Sequence, residues 1–431
     1  MTGQTADHVV PRLELDRAVA LATVGRERPP GQPKCLRLHC VWMRNGGLIR
    51  LVALLCVAGT LIVGSAPAGA NAHSSPPVTT ISLQSPTAYT PHPPNGGTDD
   101  YHCTLVDPHV NADSFIVSSQ FFPNSIEVHH AILFLVPPSL AAEARANDAG
   151  GKGWTCFGET ALPGAGLAHL GETPWLSAWA PGHGKDVLPA GVGQPLPKGS
   201  LVVMQIHYNL LLGDKPVRAK LVLNTVPGTT PLRPMSLALM PAPPDIPCPS
   251  GVTGPLCDRT ASLADLGQRF GQGAVGFVNT IEAVCGRNPS DPPAGSTTSC
   301  TWPVAKAGTI VRAGAHMHLL GQALQITLNP GTSSQKTVLN VPNYNFHYQK
   351  AYDLQTAIPV VPGDTIQVTC TYDPPLRQEL PSLRNLPPRF VTWGDGSSDE
   401  MCLGLVMTVP PAGSPGAIGW PAQVDSGAVT F

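Results

Sequence analysis

Ser200-Leu-Val-Val-Met-Gln-Ile-His-Tyr-Asn-Leu210 is the stretch whose reading decides the fold class. It is rich in β-branched and aromatic residues, and it reads as a β-strand. Upstream, Ser114-Phe-Ile-Val-Ser-Ser-Gln-Phe-Phe122 and Glu127-Val-His-His-Ala-Ile-Leu-Phe-Leu-Val136 read the same way, and downstream so does Lys220-Leu-Val-Leu-Asn-Thr225. Val226-Pro-Gly-Thr-Thr-Pro-Leu-Arg-Pro234 then breaks the pattern and marks a boundary. Beyond it, strands recur over residues 308–318, 323–328, 365–372 and 401–409. Only Ala261 to Phe270 and residues 140–149 read as short helices. With 48 Pro and 44 Gly in 431 residues, about a fifth of the chain consists of helix breakers. An apolar fraction of 42% excludes a disordered chain. The fold class is therefore all-β, and the length suffices for two domains. The net charge of −2 and the lack of any Lys/Arg run leave nucleic-acid binding without an electrostatic footprint.

The N-terminus reads as an export signal. Leu48 to Val63 (LIRLVALLCVAGTLIV) is apolar apart from Arg50, follows Arg44, and precedes a small-residue stretch with cleavage sites after Ala70 or Ala72. It is short for a membrane span, so the mature chain is expected to have no stable one. Residues 1–72 are thus an N-terminal extension plus signal peptide, with Met43 as the expected start, and 73–98 a Ser/Thr/Pro-rich linker. The two domains are expected at 99–229 and 230–431. Without the leader the chain is mildly acidic, with 18 basic and 24 acidic residues. Eight cysteines remain, an even number that in a secreted chain reads as up to four disulfides. Proximity in sequence pairs Cys248–Cys257 and Cys285–Cys300.

His316 and His318 stand at i, i+2 on a strand, so both imidazoles face one side and can reach one ion. Two unrelated polar residues on one strand face would give the same spacing. His129 and His130 are adjacent. A regular strand would point them apart, so sharing a metal requires a backbone bulge or the use of Nδ1 by one ring and Nε2 by the other. His207 alone carries little information. Met401 lies where a loop enters a strand; core packing is its ordinary role, but a thioether beside two imidazoles is a soft ligand set that selects Cu(I) over hard cations.

Val128-His-His-Ala-Ile-Leu-Phe134, Met204-Gln-Ile-His-Tyr208, His316-Met-His-Leu-Leu-Gly321 and Asp399-Glu-Met-Cys402 together resemble, in order and spacing, the type II copper, ascorbate-dependent monooxygenases. The resemblance covers roughly residues 100–410. It implies two β-sandwich, jelly-roll-like domains facing each other across an open cleft, with two copper ions per chain. His129, His130 and His207 would hold the first copper, which stores an electron. His316, His318 and Met401 would hold the second, where O2 binds and a C–H bond is cleaved. Ascorbate would supply two electrons, for R–H + O2 + 2e⁻ + 2H⁺ → R–OH + H2O. The resemblance also implies disulfides Cys103–Cys156 and Cys370–Cys402, and places Gln205 near the path between substrate and the three-histidine site. His347 reads as a loop histidine, with a proton shuttle as the alternative.

The departures bear on substrate. In the peptide-amidating relatives an Arg two residues before the HxH pair helps anchor the substrate carboxylate; here that position is Gly314, with Arg312 two residues further upstream. The positions two and four after the methionine, where those relatives carry a polar residue and a Tyr, are Leu403 and Leu405. A small-molecule substrate less polar than a peptide carboxylate is expected. Two other functions fit parts of the pattern. One is a non-catalytic extracytoplasmic copper-binding protein. The other is a zinc hydrolase, for which Glu127, Asp399 and Glu400 stand near the motifs without an HExxH arrangement.

Overall fold

In the computed structural model Ala72–Phe431 forms a unit separate from the residues before it. The structure describes residues 76–93, 98–157, 160, 162, 175–210 and 213–413. The expected signal peptide lies outside them. None of the described helices is long and apolar enough to cross a membrane.

That unit is built from antiparallel sheets. A six-stranded and a five-stranded sheet hold most of the strands between Thr79 and Pro234. Two four-stranded sheets hold most of those between Ser236 and Val409, and Asp245–Ile246 pairs with Val391–Thr392 in a small sheet of its own. The first pair encloses a core that includes Leu133, Leu135, Met204, Ile206, Leu221 and Leu223. The second pair encloses Ile310, Ala313, Ile326, Val368 and Val406. The all-β reading is borne out.

Several details differ from the sequence reading. The stretch expected as a linker contains a strand, Thr79–Gln84, paired antiparallel with Lys220–Pro227. Its Leu83 side chain enters the core, so the Ser/Thr-rich composition gives a half-exposed edge strand. Arg233–Pro234 still pairs with Val192–Gly193, so the chain changes sheet just before Ser236, a few residues past the expected boundary. Helices Ala141–Asn147 and Arg259–Phe270 stand where helices were read. A further helix, Gln272–Val284, was not foreseen. It carries three Gly or β-branched residues among its first five, a poor helical signature, and is held by packing of Val278 and Ile281 beneath Trp393.

Four disulfides join Cys103 to Cys156, Cys248 to Cys257, Cys285 to Cys300 and Cys370 to Cys402, the four pairs named above. Such bonds form in oxidising, extracytoplasmic surroundings. Cys370–Cys402 staples the two C-terminal sheets together one residue after Met401.

Candidate metal centre

The strand Val128–Val136 runs beside Leu201–Asn209, and their ladder shifts register between Val128 and His130. Val128, Ala131, Leu133 and Leu135 all enter the core. Two residues, not one, separate Val128 from Ala131, so the shift is a bulge that leaves His129 and His130 together on the outer face. On the neighbouring strand Val202, Met204, Ile206 and Tyr208 point to the core, which turns Gln205 and His207 to the same outer face.

The three rings converge through one kind of atom. Nδ1 of His129 lies 3.2 Å from Nδ1 of His130 and 3.2 Å from Nδ1 of His207, and the last two are 3.3 Å apart. Three such atoms cannot all be donor–acceptor pairs. A point equidistant from them lies about 1.9 Å from each, close to the roughly 2.0 Å of a metal–imidazole bond. His207 Nε2 donates to Asp99 Oδ1 at 2.8 Å, which fixes the tautomer and leaves its Nδ1 lone pair free. Burial pushes the Asp99 carboxyl up, but the His207 imidazole and the Ser397 and Thr98 hydroxyls overcome it and hold it well below the usual range. Tyr101 stacks on His207 at 4.1 Å, and its hydroxyl donates to the Asp395 carbonyl at 2.6 Å. Burial, then the neighbouring imidazoles, hold His129 and His130 neutral, far below the ordinary imidazole value.

The second group sits on the strand Gly308–Met317. A bulge between Ile310 and Arg312 sends Ala313, Ala315 and Met317 to the core, so Arg312, Gly314, His316 and His318 face outward. The strand Cys402–Val409 pairs alongside, with Met317 opposite Cys402 and His316 opposite Leu403. Met401, one residue before that strand, donates its amide hydrogen to the same Glu400 oxygen as His318 does and borders the same cavity as His316. His316 Nδ1 donates to Gln349 Oε1 at 2.6 Å and His318 Nδ1 to the Asp399 carbonyl at 3.2 Å. Both rings therefore keep a bare Nε2, and that of His318 is buried without a partner. Burial holds His316 at about 4 and His318 at about 3. Zinc chemistry through Asp399 and Glu400 is already spoken for: Asp399 is gripped by Arg269 at 2.7 Å through both oxygens. Buried Glu400 accepts the amide hydrogens of His318, Leu320 and Met401, clamping the HxH turn to the methionine.

The two groups are nearer each other than an open cleft implies. The His130 and His316 rings are 6.1 Å apart. Phe346 stacks on His129 at 4.4 Å and lies edge-on to His318 at 6.0 Å. Sequence reasoning singled out His347 in that loop, yet His347 is exposed, and its neighbours Phe346 and Gln349 make the contacts. Asp99, Tyr101 and Glu400 were likewise missed as supporting groups. Gln205 borders the same cavity as His130, with its Nε2 3.9 Å from Cys156 Sγ. Among the described residues the His129–His130–His207 group is the one made of His, Cys, Asp or Glu alone that meets metal-ligand spacing.

Fold and site define an all-β, disulfide-bonded sandwich protein with one three-histidine group of metal-ligand spacing and a histidine pair close beside it. Residues 294–412, which hold the His316-Met-His318 and Asp399-Glu-Met-Cys402 motifs, match the family described as copper type II ascorbate-dependent monooxygenase, C-terminal domain, in line with the resemblance read from those motifs. The chain is 26% identical over 245 residues to tyramine beta-hydroxylase of Caenorhabditis briggsae; this is 54% of this chain and 34% of that protein, so the chain spans about a third of the relative's length. Solved structures with some likeness include an archaeal-virus protein with a triple jelly roll (10% identity, 78% of this chain and 59% of that one, TM-score 0.18). Allantoicase is another (9%, 72% and 81%, TM-score 0.18). At those scores they carry no argument.

Proposed function

We propose that this chain is a copper-dependent monooxygenase that hydroxylates a C–H bond of a small substrate with O2 and a reductant such as ascorbate. The observation that supports this reading is the convergence of the His129, His130 and His207 Nδ1 atoms, with the His316 ring 6.1 Å from that of His130. His129, His130 and His207 would hold one copper through Nδ1. His316 and His318, through Nε2, and Met401 would hold another. Nitrogen and thioether donors together fit copper better than zinc. When bound, copper supplies one-electron redox chemistry and O2 activation. The chain's own part is to keep the His129, His130, His316 and His318 imidazoles neutral by burial, to fix ring tautomers through Asp99, Gln349 and the Asp399 carbonyl, and to exclude water with Phe346 and Tyr101. Export to an oxidising compartment follows from the four disulfides. The substrate is less polar than a peptide carboxylate, since Leu403 and Leu405 face the cavity.

The test is copper reconstitution followed by O2 uptake with ascorbate across apolar, amine and peptide substrates. Hydroxylated product in proportion to O2 is expected. In Met401→Ile turnover should vanish while the three-histidine site still takes up copper. Copper uptake without product from any substrate class would favour the non-catalytic copper-binding reading; zinc uptake with hydrolysis would overturn both.

A further inference from the structure

His316 and Met401 border a cavity of about 750 Å3, within the size range that encloses a drug-sized molecule. Trp175, Leu239, Phe277, Leu403, Leu405 and Met407 line it, together with the two candidate ligands. Its polar groups are largely engaged elsewhere. Arg312 donates from Nη1 to Asp186 at 2.8 Å, from Nη2 to the Val187 carbonyl at 2.8 Å and from Nε to Asp353 at 2.5 Å. Its charge is thus matched by two carboxylates, which leaves no net positive charge at this position to draw in an anionic ligand. Lys350 sits over the rings of Tyr348 and Tyr352, at 5.4 and 4.8 Å. Gly314, next to Arg312 on the same face, leaves a space that Leu405 fills: a Cβ there would stand 3.0 Å from Leu405 Cδ1. The wall between the paired arginine and His316 is therefore aliphatic.

From this we infer that the cavity takes a neutral, predominantly apolar substrate, selected by Leu405 packed over Gly314 and by the self-neutralised Arg312. A charged ligand entering it would lose water against a wall that is mainly hydrocarbon, a cost that an apolar ligand does not meet. Calling the occupant a substrate rests on the monooxygenase reading; the class of ligand does not.

The test uses the full chain without metal and two probes that share an aromatic frame: neutral N-phenyl-1-naphthylamine and its sulfonated counterpart, 1-anilinonaphthalene-8-sulfonate. Binding is read by probe emission and by energy transfer from Trp175, Trp179 and Trp393, which border the cavity. The neutral probe should bind at least about tenfold more tightly. Leu405→Asp should weaken it by a similar factor at unchanged circular dichroism. Ala274→Trp, which fills the cavity from the helix side, should do the same if the first variant does not fold. Equal or tighter binding of the sulfonate, or indifference of the neutral probe to both substitutions, overturns the inference. So does displacement by tyramine at concentrations where uncharged 4-ethylphenol has no effect, since that would mean a site built for a cation. Copper uptake is measured separately. A chain that prefers the neutral probe but binds no copper loses the monooxygenase reading and keeps its ligand class.

Discussion

At the scale of single residues, the chain shows how much of a metal pocket is set by groups that do not touch the ion. Asp99 decides which nitrogen of His207 is bare, and it also accepts the Ser397 hydroxyl at 2.9 Å, tying the first sandwich to the loop before Met401. Loss of such a partner costs on the order of 10–100-fold in metal affinity. Asp99→Ala should therefore weaken copper binding at the three-histidine pocket by that factor and leave the His316–His318 pocket close to the parent. Calorimetric titration resolving two sites checks this, and equal affinities in parent and variant would show that His207 is oriented by other means. The six candidate ligands were legible because imidazole and thioether are rare side chains with a strong coordination bias, and their order matched a family pattern. Asp99, Tyr101, Gln349 and Glu400 were not, because a carboxylate or amide that supports a ring one shell out carries no local pattern. Its partner is a hundred residues away in one case and thirty-three in another.

At the scale of elements, β-branched and aromatic content marked the strands, but only the bulge explains why His129 and His130 face the same way. The sequence reading left open a bulge or mixed use of ring nitrogens; the backbone takes the first course, and all three rings of that group converge through Nδ1. The helix Gln272–Val284 was the element least legible. It brings Glu282 into a fully buried site beside Asp245, with Arg259 Nη2 at 3.7 Å and Arg287 Nη1 at 4.0 Å. Burial, then Asp245, push the Glu282 carboxyl up to about 9. A group raised in the folded state lends stability that is complete below its unfolded value, about 4.5, and is lost as pH rises through the folded one. In the thermal unfolding of the metal-free chain, the parent should lose stability relative to Glu282→Gln as pH climbs from 5 to about 9, since the amide mimics the protonated acid and does not ionise. A constant difference between the two across that range would mean that Glu282 is ionised throughout.

At the scale of the whole molecule, the two sandwiches meet through a few polar ties, and the placement of the two histidine groups depends on them. Arg312 is the most connected. It stands on the HxH strand, yet two of its three donor groups reach Asp186 and the Val187 carbonyl, which pair with the six-stranded sheet of the first sandwich. Its third reaches Asp353 on the neighbouring strand of its own sheet. Removing the guanidinium leaves two carboxylates facing each other with no cation between them, in a position only partly open to water. Repulsion replaces attraction at the joint, while the cores of both sandwiches, packed by separate sets of apolar residues, are untouched. Arg312→Ala should therefore loosen the joint without unfolding either half. Amide exchange should quicken over residues 186–188 and 351–353, the ring contact between His130 and His316 should lengthen, and the radius of gyration from solution scattering should rise. The substitution also tests the geometry of the site from a distance: if the histidine groups are held at 6.1 Å by this joint, a spin-label or metal–metal distance across them will broaden in the variant. If it stays as narrow as in the parent, the apolar wall and Phe346 hold the two halves together, and the arginine serves only to cancel charge in the cavity.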